Sequence, residues 1–146
     1  PIAGIEDYYN IAGESIDPKG CSRTSQLERE MFPIIRQSKL GFIAFSPLDS
    51  GNLSPKQQIK PTSPLAELVR VIDQTAQTLH VTRAELCVAW VLTHTEVTTV
   101  LSGAESPEHV DQNLAGTQLF LPQEVIKTLN TANKAYRKKT KQKLVN

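Results

Sequence analysis

Apolar residues in this chain fall into two kinds of pattern: short unbroken runs, and longer stretches with helical spacing. Three runs predict strands. The first is Pro1-Ile2-Ala3-Gly4-Ile5, followed by a polar loop with Gly13, Pro18 and Gly20. The second, Gly41-Phe42-Ile43-Ala44-Phe45-Ser46, is halted by Pro47 and has the continuous apolar character of a strand buried on both faces. The third, Val97-Thr98-Thr99-Val100-Leu101, is β-branched. Between them, Ser25 with Glu28 three residues on makes a capping box, predicting a helix through Leu27, Met31, Ile34 and Ile35. Pro33 should kink that helix or shift its start, and Lys39-Leu40-Gly41 should end it. Ser63-Pro64 opens a helix with Leu65, Leu68, Val69, Ile72, Ala76 and Leu79 on one face. A second capping box, Thr82 with Glu85, starts another that buries Leu86, Ala89, Trp90 and Val91. Ser106-Pro107 begins a short helix; Pro122 begins the last, with Val125, Ile126, Leu129 and Ala132 inward.

Strands alternating with helices predict parallel βαβ units rather than a sandwich. The fold class expected is α/β, with about three to four parallel strands and flanking helices. A closed (β/α) barrel needs eight strands, so this is either a small open sheet or the C-terminal part of a (β/α)8 TIM barrel. The chain begins with Pro1, not Met, and reads as processed, trimmed or part of a longer product. The Leu48–Ser63 stretch, rich in Pro, Ser, Gly, Gln and Lys, predicts a long loop of the kind that carries function or moves.

Composition narrows the class. With 39% hydrophobic and 21% charged residues, the chain has material for a core and is neither disordered nor membrane-like. No run approaches the roughly 18–20 apolar residues of a membrane span, so no membrane is expected. Cys21 and Cys87 make no disulfide framework and read as free thiols in a reducing cytoplasm. His80, His94 and His109 show no metal-ligand spacing. The net charge of +1 conceals a split at Asn133: Lys134, Arg137, Lys138, Lys139, Lys141 and Lys143 follow it with no acid, leaving residues 1–133 acidic. The division expected is therefore a barrel segment over 1–133 and a basic, solvent-fraying tail over 134–146. Such a tail can meet nucleic acid. Leu79 to Val91 can even be read as helix-turn-helix, but its second helix has Arg83 as the sole cation and presents a buried face, so no nucleic acid is expected.

Three segments resemble the aldo-keto reductase family over nearly the whole chain. They are Gly41-Phe42-Ile43-Ala44-Phe45-Ser46-Pro47-Leu48 with Gly51 after it, Ala84-Glu85-Leu86-Cys87-Val88-Ala89-Trp90-Val91-Leu92, and Ser102-Gly103-Ala104-Glu105-Ser106-Pro107-Glu108-His109-Val110-Asp111-Gln112-Asn113-Leu114. The opening Ile5-Glu6-Asp7-Tyr8-Tyr9-Asn10 is similar to the family's earlier cofactor strand. The resemblance implies a cytoplasmic NAD(P)H-dependent reductase that passes hydride to an aldehyde or ketone. It places Phe45 flat against the nicotinamide, with Ser46 and the backbone near Leu48 and Gly51 donating to the pyrophosphate. Glu6 stands where the family usually has a Gln gripping the carboxamide; a carboxylate accepts from the amide but cannot donate to its oxygen. Gly103, Glu105, His109, Gln112 and Asn113 match the turn that holds the adenosine phosphate and the adenine. NADPH is the cofactor implied, with NADH admitted because Glu105 would repel a 2′-phosphate and His109 offsets that only when protonated.

The family's catalytic Tyr, Lys, Asp and His belong to its N-terminal half, and no catalytic residue is assigned here. Tyr8, Tyr9 and Tyr136 lack Lys-Asp companions by sequence, so the chain alone is expected not to turn over. A second expectation is a non-catalytic nucleotide-sensing module, similar to the family's potassium-channel regulatory subunits, with Leu48–Ser63 as partner surface. Two open sheet edges predict self-association or pairing with a missing half.

Overall fold

The computed structural model of the protein describes residues 2–14 and 23–145, with side chains as far as Thr140. Pro18, Gly20 and Cys21 lie outside the described residues. Three strands, β1 (Gly4–Tyr8), β2 (Gly41–Phe45) and β3 (Thr99–Leu101), form one parallel sheet in the order β1-β2-β3. The helices are α1 (Thr24–Gln26), α2 (Phe32–Ser38), α3 (Pro64–Leu79), α4 (Arg83–Leu92), α5 (Pro107–Gln118) and α6 (Gln123–Val145). Each crossover carries at least one helix, as parallel pairing requires.

The first strand begins three residues later than Pro1, because Gly4 is the residue that pairs with Gly41. The second strand is not buried on both faces. Phe42 and Ala44 are buried against the helices while Gly41, Ile43 and Phe45 are only half-buried. The face bearing Ile43 and Phe45 also carries exposed Glu6, Thr99 and Leu101, their register neighbours. The sheet therefore has one face covered by helices and one largely open.

The Ser25–Glu28 capping box does not form. The Ser25 N–H and hydroxyl both donate to the Glu14 carboxylate, and Glu28 is engaged by Tyr9 and Arg137. Distant partners outcompete the local one. A π turn, Leu27–Met31, joins α1 to α2, and Pro33 falls in the first turn of α2. Proline has no N–H to continue the preceding helical ladder, and a π turn absorbs the extra residue. The rotation it introduces buries Phe32 and leaves Ile34 47% exposed. The other helix starts follow the sequence: Ser63 accepts from the Leu65 N–H, Thr82 and Glu85 make a reciprocal capping box, and Ser106 accepts from the His109 N–H.

The core joins Phe42, Ile72, Leu86, Trp90, Leu53 and Leu129 on the covered face of the sheet. The basic stretch expected to fray from Lys134 is instead helical through Val145. Tyr136 and Thr140 are buried; Tyr136 donates to the Ala12 carbonyl at 3.2 Å and Asn133 to the Ile11 carbonyl at 2.6 Å. The reason is a periodic set of contacts on one helix face, which net charge does not reveal.

Candidate functional site

All three strands run the same way, so Tyr8, Phe45 and Leu101 come to one end of the sheet, in register with one another. The backbone stitches that end together: the Tyr9 N–H donates to the Phe45 carbonyl at 3.2 Å and the Ser46 N–H to the Leu101 carbonyl at 3.2 Å. The loops after β2 and β3 leave from here. Phe45, Ser46, Leu48 and Gly51 are thereby brought to the same end as the turn beginning at Ser102. Glu6 lies two residues before the end of β1, exposed, on the face shared by Phe45.

Phe45 is half-buried, and the Tyr8 ring meets it edge-on at 5.6 Å with an interplanar angle of 64°. Edge-to-face packing of this kind fixes ring orientation while leaving one face available. The loop that follows is tightly wound. Ser46, Asp49 and Ser50 have φ of 59°, 53° and 53°, and Gly51 has φ of 90°. The three non-glycine residues each bear roughly 1–2 kcal/mol of left-handed strain, held in place by surrounding bonds. Ser46 Oγ accepts from the Ser50 N–H at 2.8 Å, and the Gly51 N–H donates to the Leu48 carbonyl at 3.0 Å. The Gly51 amide is thus used within the loop, while open space surrounds the position a Gly51 side chain would take.

The turn after β3 is braced by Asn113, which accepts from Ser102 Oγ at 2.9 Å and donates to the Gly103 carbonyl at 3.2 Å. Nothing lies near the position a Gly103 side chain would take, so the turn is open to a close ligand. At the start of α5, Pro107 has no N–H, and those of His109 and Val110 return to Ser106. Among the described residues, the Glu108 N–H is the first-turn donor left over. His109 Nδ1 accepts from the Glu105 N–H at 3.3 Å, which requires the tautomer with its proton on Nε2. Gln112 donates to Glu108 along the helix at 3.3 Å, and Glu105 is exposed.

Three residues at this end were not among the candidates that the sequence offered. The hydroxyl of fully buried Tyr8 donates to the carboxylate of fully buried Asp49, which also accepts from Asn52 at 3.2 Å. Burial raises the Asp49 carboxyl to about 6, against the opposing hydrogen bonds from Tyr8, Asn52 and Asn10. Strand alternation puts Tyr8 on the Glu6 face, but no local signal pairs it with a residue in the next loop. Asn10, whose amide donates to the Ser46 carbonyl at 3.0 Å, was likewise invisible.

A second polar cluster lies elsewhere, around a cavity of about 290 Å³ lined by Glu28, Phe32, His94, Glu96 and Arg137 among others. Arg137 grips Glu28 with two bonds of 2.7 and 2.6 Å, and Tyr9 donates to the same carboxylate at 3.0 Å. Burial alone would raise the Glu28 carboxyl, but Arg137 and Tyr9 outweigh it and hold it below its usual range. A further cavity of about 460 Å³ is a groove between α3 and α6 that none of the candidate residues lines.

A parallel sheet with helices on one face and loops gathered at its C-terminal end is the architecture of a (β/α)-barrel segment. The sequence model of the Aldo/keto reductase family matches residues 10–134, and the chain belongs to that family. Two solved structures share the fold. One is a thermostable aldo-keto reductase crystallised with the inhibitor epalrestat: 24% identity, TM-score 0.66, covering 90% of this chain and 40% of that one. The other is an aldo-keto reductase from Bacillus halodurans in its apo form: 21% identity, TM-score 0.68, covering 94% of this chain and 47% of that one. This chain therefore spans less than half the length of either. No curated protein sequence matches it.

Proposed function

We propose that this chain supplies the cofactor-holding end of an NAD(P)H-dependent aldo-keto reductase. The observation that carries the reading is the meeting of Phe45, the Ser46–Gly51 loop and the Gly103 turn at the C-terminal ends of parallel strands, in a chain of this family. Ligands of parallel barrels sit at that end.

The residues present fit a nicotinamide dinucleotide. Phe45 offers an aromatic surface for the nicotinamide. Ser46 Oγ accepts from the Ser50 N–H and lies 3.3 Å from Ser50 Oγ, where either hydroxyl can donate; with Ser50 as the donor, the Ser46 hydrogen serves a phosphate oxygen. The open spaces beside Gly51 and Gly103 admit a ligand close to the backbone. His109, protonated on Nε2, and the Glu108 N–H are donors for the adenosine side. Asn113 acts by shaping the turn, since both ends of its amide are engaged within the protein. When bound, the cofactor supplies a hydride for a carbonyl carbon. Glu6 stands on the Phe45 side of the sheet, exposed, and accepts from a carboxamide N–H without donating to its oxygen.

Exposed Glu105 disfavours a 2′-phosphate by charge, so the preference for NADPH over NADH is weak and Glu105→Lys strengthens it. No tyrosine here serves as the acid: Tyr8, Tyr9 and Tyr136 are each buried, with hydroxyls donated to Asp49, Glu28 and the Ala12 carbonyl. Reduction of an aldehyde or ketone then draws its catalytic groups from outside residues 1–146. The test is titration of the chain with NADPH, followed by cofactor fluorescence. Saturable binding that Phe45→Ala weakens supports the reading; binding unaffected by Phe45→Ala, or none, removes it.

A further inference from the structure

Among the described residues, buried Asp49 has no cation in an ion pair with it. Its partners are neutral donors: the Tyr8 hydroxyl, the Asn52 amide at 3.2 Å, and Asn10 close by. Burying an ionisable group without a counter-charge is costly, and so is the left-handed backbone on which Asp49 sits. A residue that opposes stability twice needs another reason to be there. The geometry supplies one. Tyr8 touches Phe45 through its ring and Asp49 through its hydroxyl, so one side chain joins the proposed nicotinamide platform to the loop beyond it. Asn10, two residues along, takes hold of the same loop at the Ser46 carbonyl. Downstream, buried Leu53 anchors the loop's far end and its N–H returns to the Leu48 carbonyl at 3.1 Å.

We infer that the Tyr8 hydroxyl and the Asp49 carboxylate form a buried clamp that presets the Phe45 ring and the Ser46–Gly51 loop for the nicotinamide half of the cofactor. Tyr8 and Asp49 are positioning residues: both are fully buried, and they act through Phe45 and the loop. The clamp rests on the cofactor reading given above. It makes a selective demand, because the adenosine half belongs to the Gly103–Asn113 turn on another strand, which neither residue touches.

Two measurements test it on the full chain. The first is hydrogen–deuterium exchange without cofactor. Tyr8→Phe keeps the ring and deletes the hydroxyl, and faster exchange confined to residues 46–52 is expected. Unchanged exchange there overturns the clamp whether or not any cofactor binds. The second compares NADPH with adenosine 2′,5′-bisphosphate, which lacks the nicotinamide. Tyr8→Phe and Asp49→Ala should weaken NADPH about tenfold, the worth of one charge-assisted hydrogen bond, and leave the bisphosphate unchanged. Asp49→Asn keeps an acceptor for Tyr8 and should restore most of the NADPH affinity. Equal weakening of both ligands, or no rescue by asparagine, overturns the positioning role. Failure of the unaltered chain to bind NADPH at all overturns the cofactor reading and the positioning role together, while the exchange result still decides the clamp itself.

Discussion

Asp49, fully buried, and His94, half-buried, are titratable groups that desolvation drives in opposite directions. Burial raises the Asp49 carboxyl to about 6, above the usual carboxylate value. A raised folded value means the group favours folding fully below about pH 4 and loses that contribution as pH rises through about 6. Ionised Asp49 therefore opposes folding at pH 8. Asp49→Asn should raise stability at about pH 8 by about 3 kcal/mol, read by chemical denaturation, and leave it unchanged near pH 4. The groups around it are Tyr8, Asn10 and Asn52, none of which titrates in that range. His94 is shifted the other way: burial lowers its imidazole, against Glu28 and the Trp90 and Val91 carbonyls. A lowered folded value gives stability that is present above about pH 6.5 and lost as pH falls. Melting temperature should fall as pH drops below about 6.5, and His94→Gln should flatten that slope. Glu28, held low by Arg137, acts in a separate window below about pH 4.5. Cys87 is buried, with its thiol pushed up to about 12, so slow labelling by thiol reagents is expected until the fold opens.

Contacts between helices set a second group of expectations. Gly116 lies where α5 crosses α4, and a Cβ there would sit 2.8 Å from the Glu85 carbonyl oxygen and 2.9 Å from Val88 Cβ. Gly116→Ala should therefore destabilise by about 1–3 kcal/mol, read by chemical denaturation, despite alanine's better helix propensity. An unchanged midpoint would mean that the two helices separate easily. In α6, Arg137 neutralises Glu28 and approaches Glu14 at 3.8 Å. Arg137→Ala leaves the half-buried Glu28 carboxylate with Tyr9 as donor but without its cation, and should cost about 2–3 kcal/mol. Helix starts at Ser63, Thr82 and Ser106 were legible because a cap and its target lie within three residues. The Ser25 start was not, because Glu14 and Arg137 reach it from elsewhere in the fold.

Over the whole molecule, the sheet has two edges, β1 and β3, and an open face. Leu101 is 57% exposed, and Val110, Leu114 and Phe120 are exposed nearby in sequence on α5 and just beyond it. Edges and apolar surface of this kind promote association. Sedimentation at micromolar concentrations should show self-association of this chain. Leu101→Lys with Leu114→Lys should shift it toward monomer, and a monodisperse parent chain would end the idea. No helix among the described residues is long and apolar enough to cross a membrane.

The parallel α/β order, the three strands and most helix starts were already determined by the residues alone. These depend on periodicity and capping, which act over a few positions. Phe45, Ser46 and Gly103 were singled out on a different basis, the resemblance of their segments to the aldo-keto reductase family. Only the tertiary structure decided that one face of the sheet lies open, that α6 packs its basic stretch onto the core, and that a π turn rotates Phe32 inward. It alone joined Tyr8 to Asp49 across 41 positions and Glu28 to Arg137 across 109. Those pairings follow from which helix face meets which loop once the sheet has formed, and local chemistry carries no record of partners so distant along the chain.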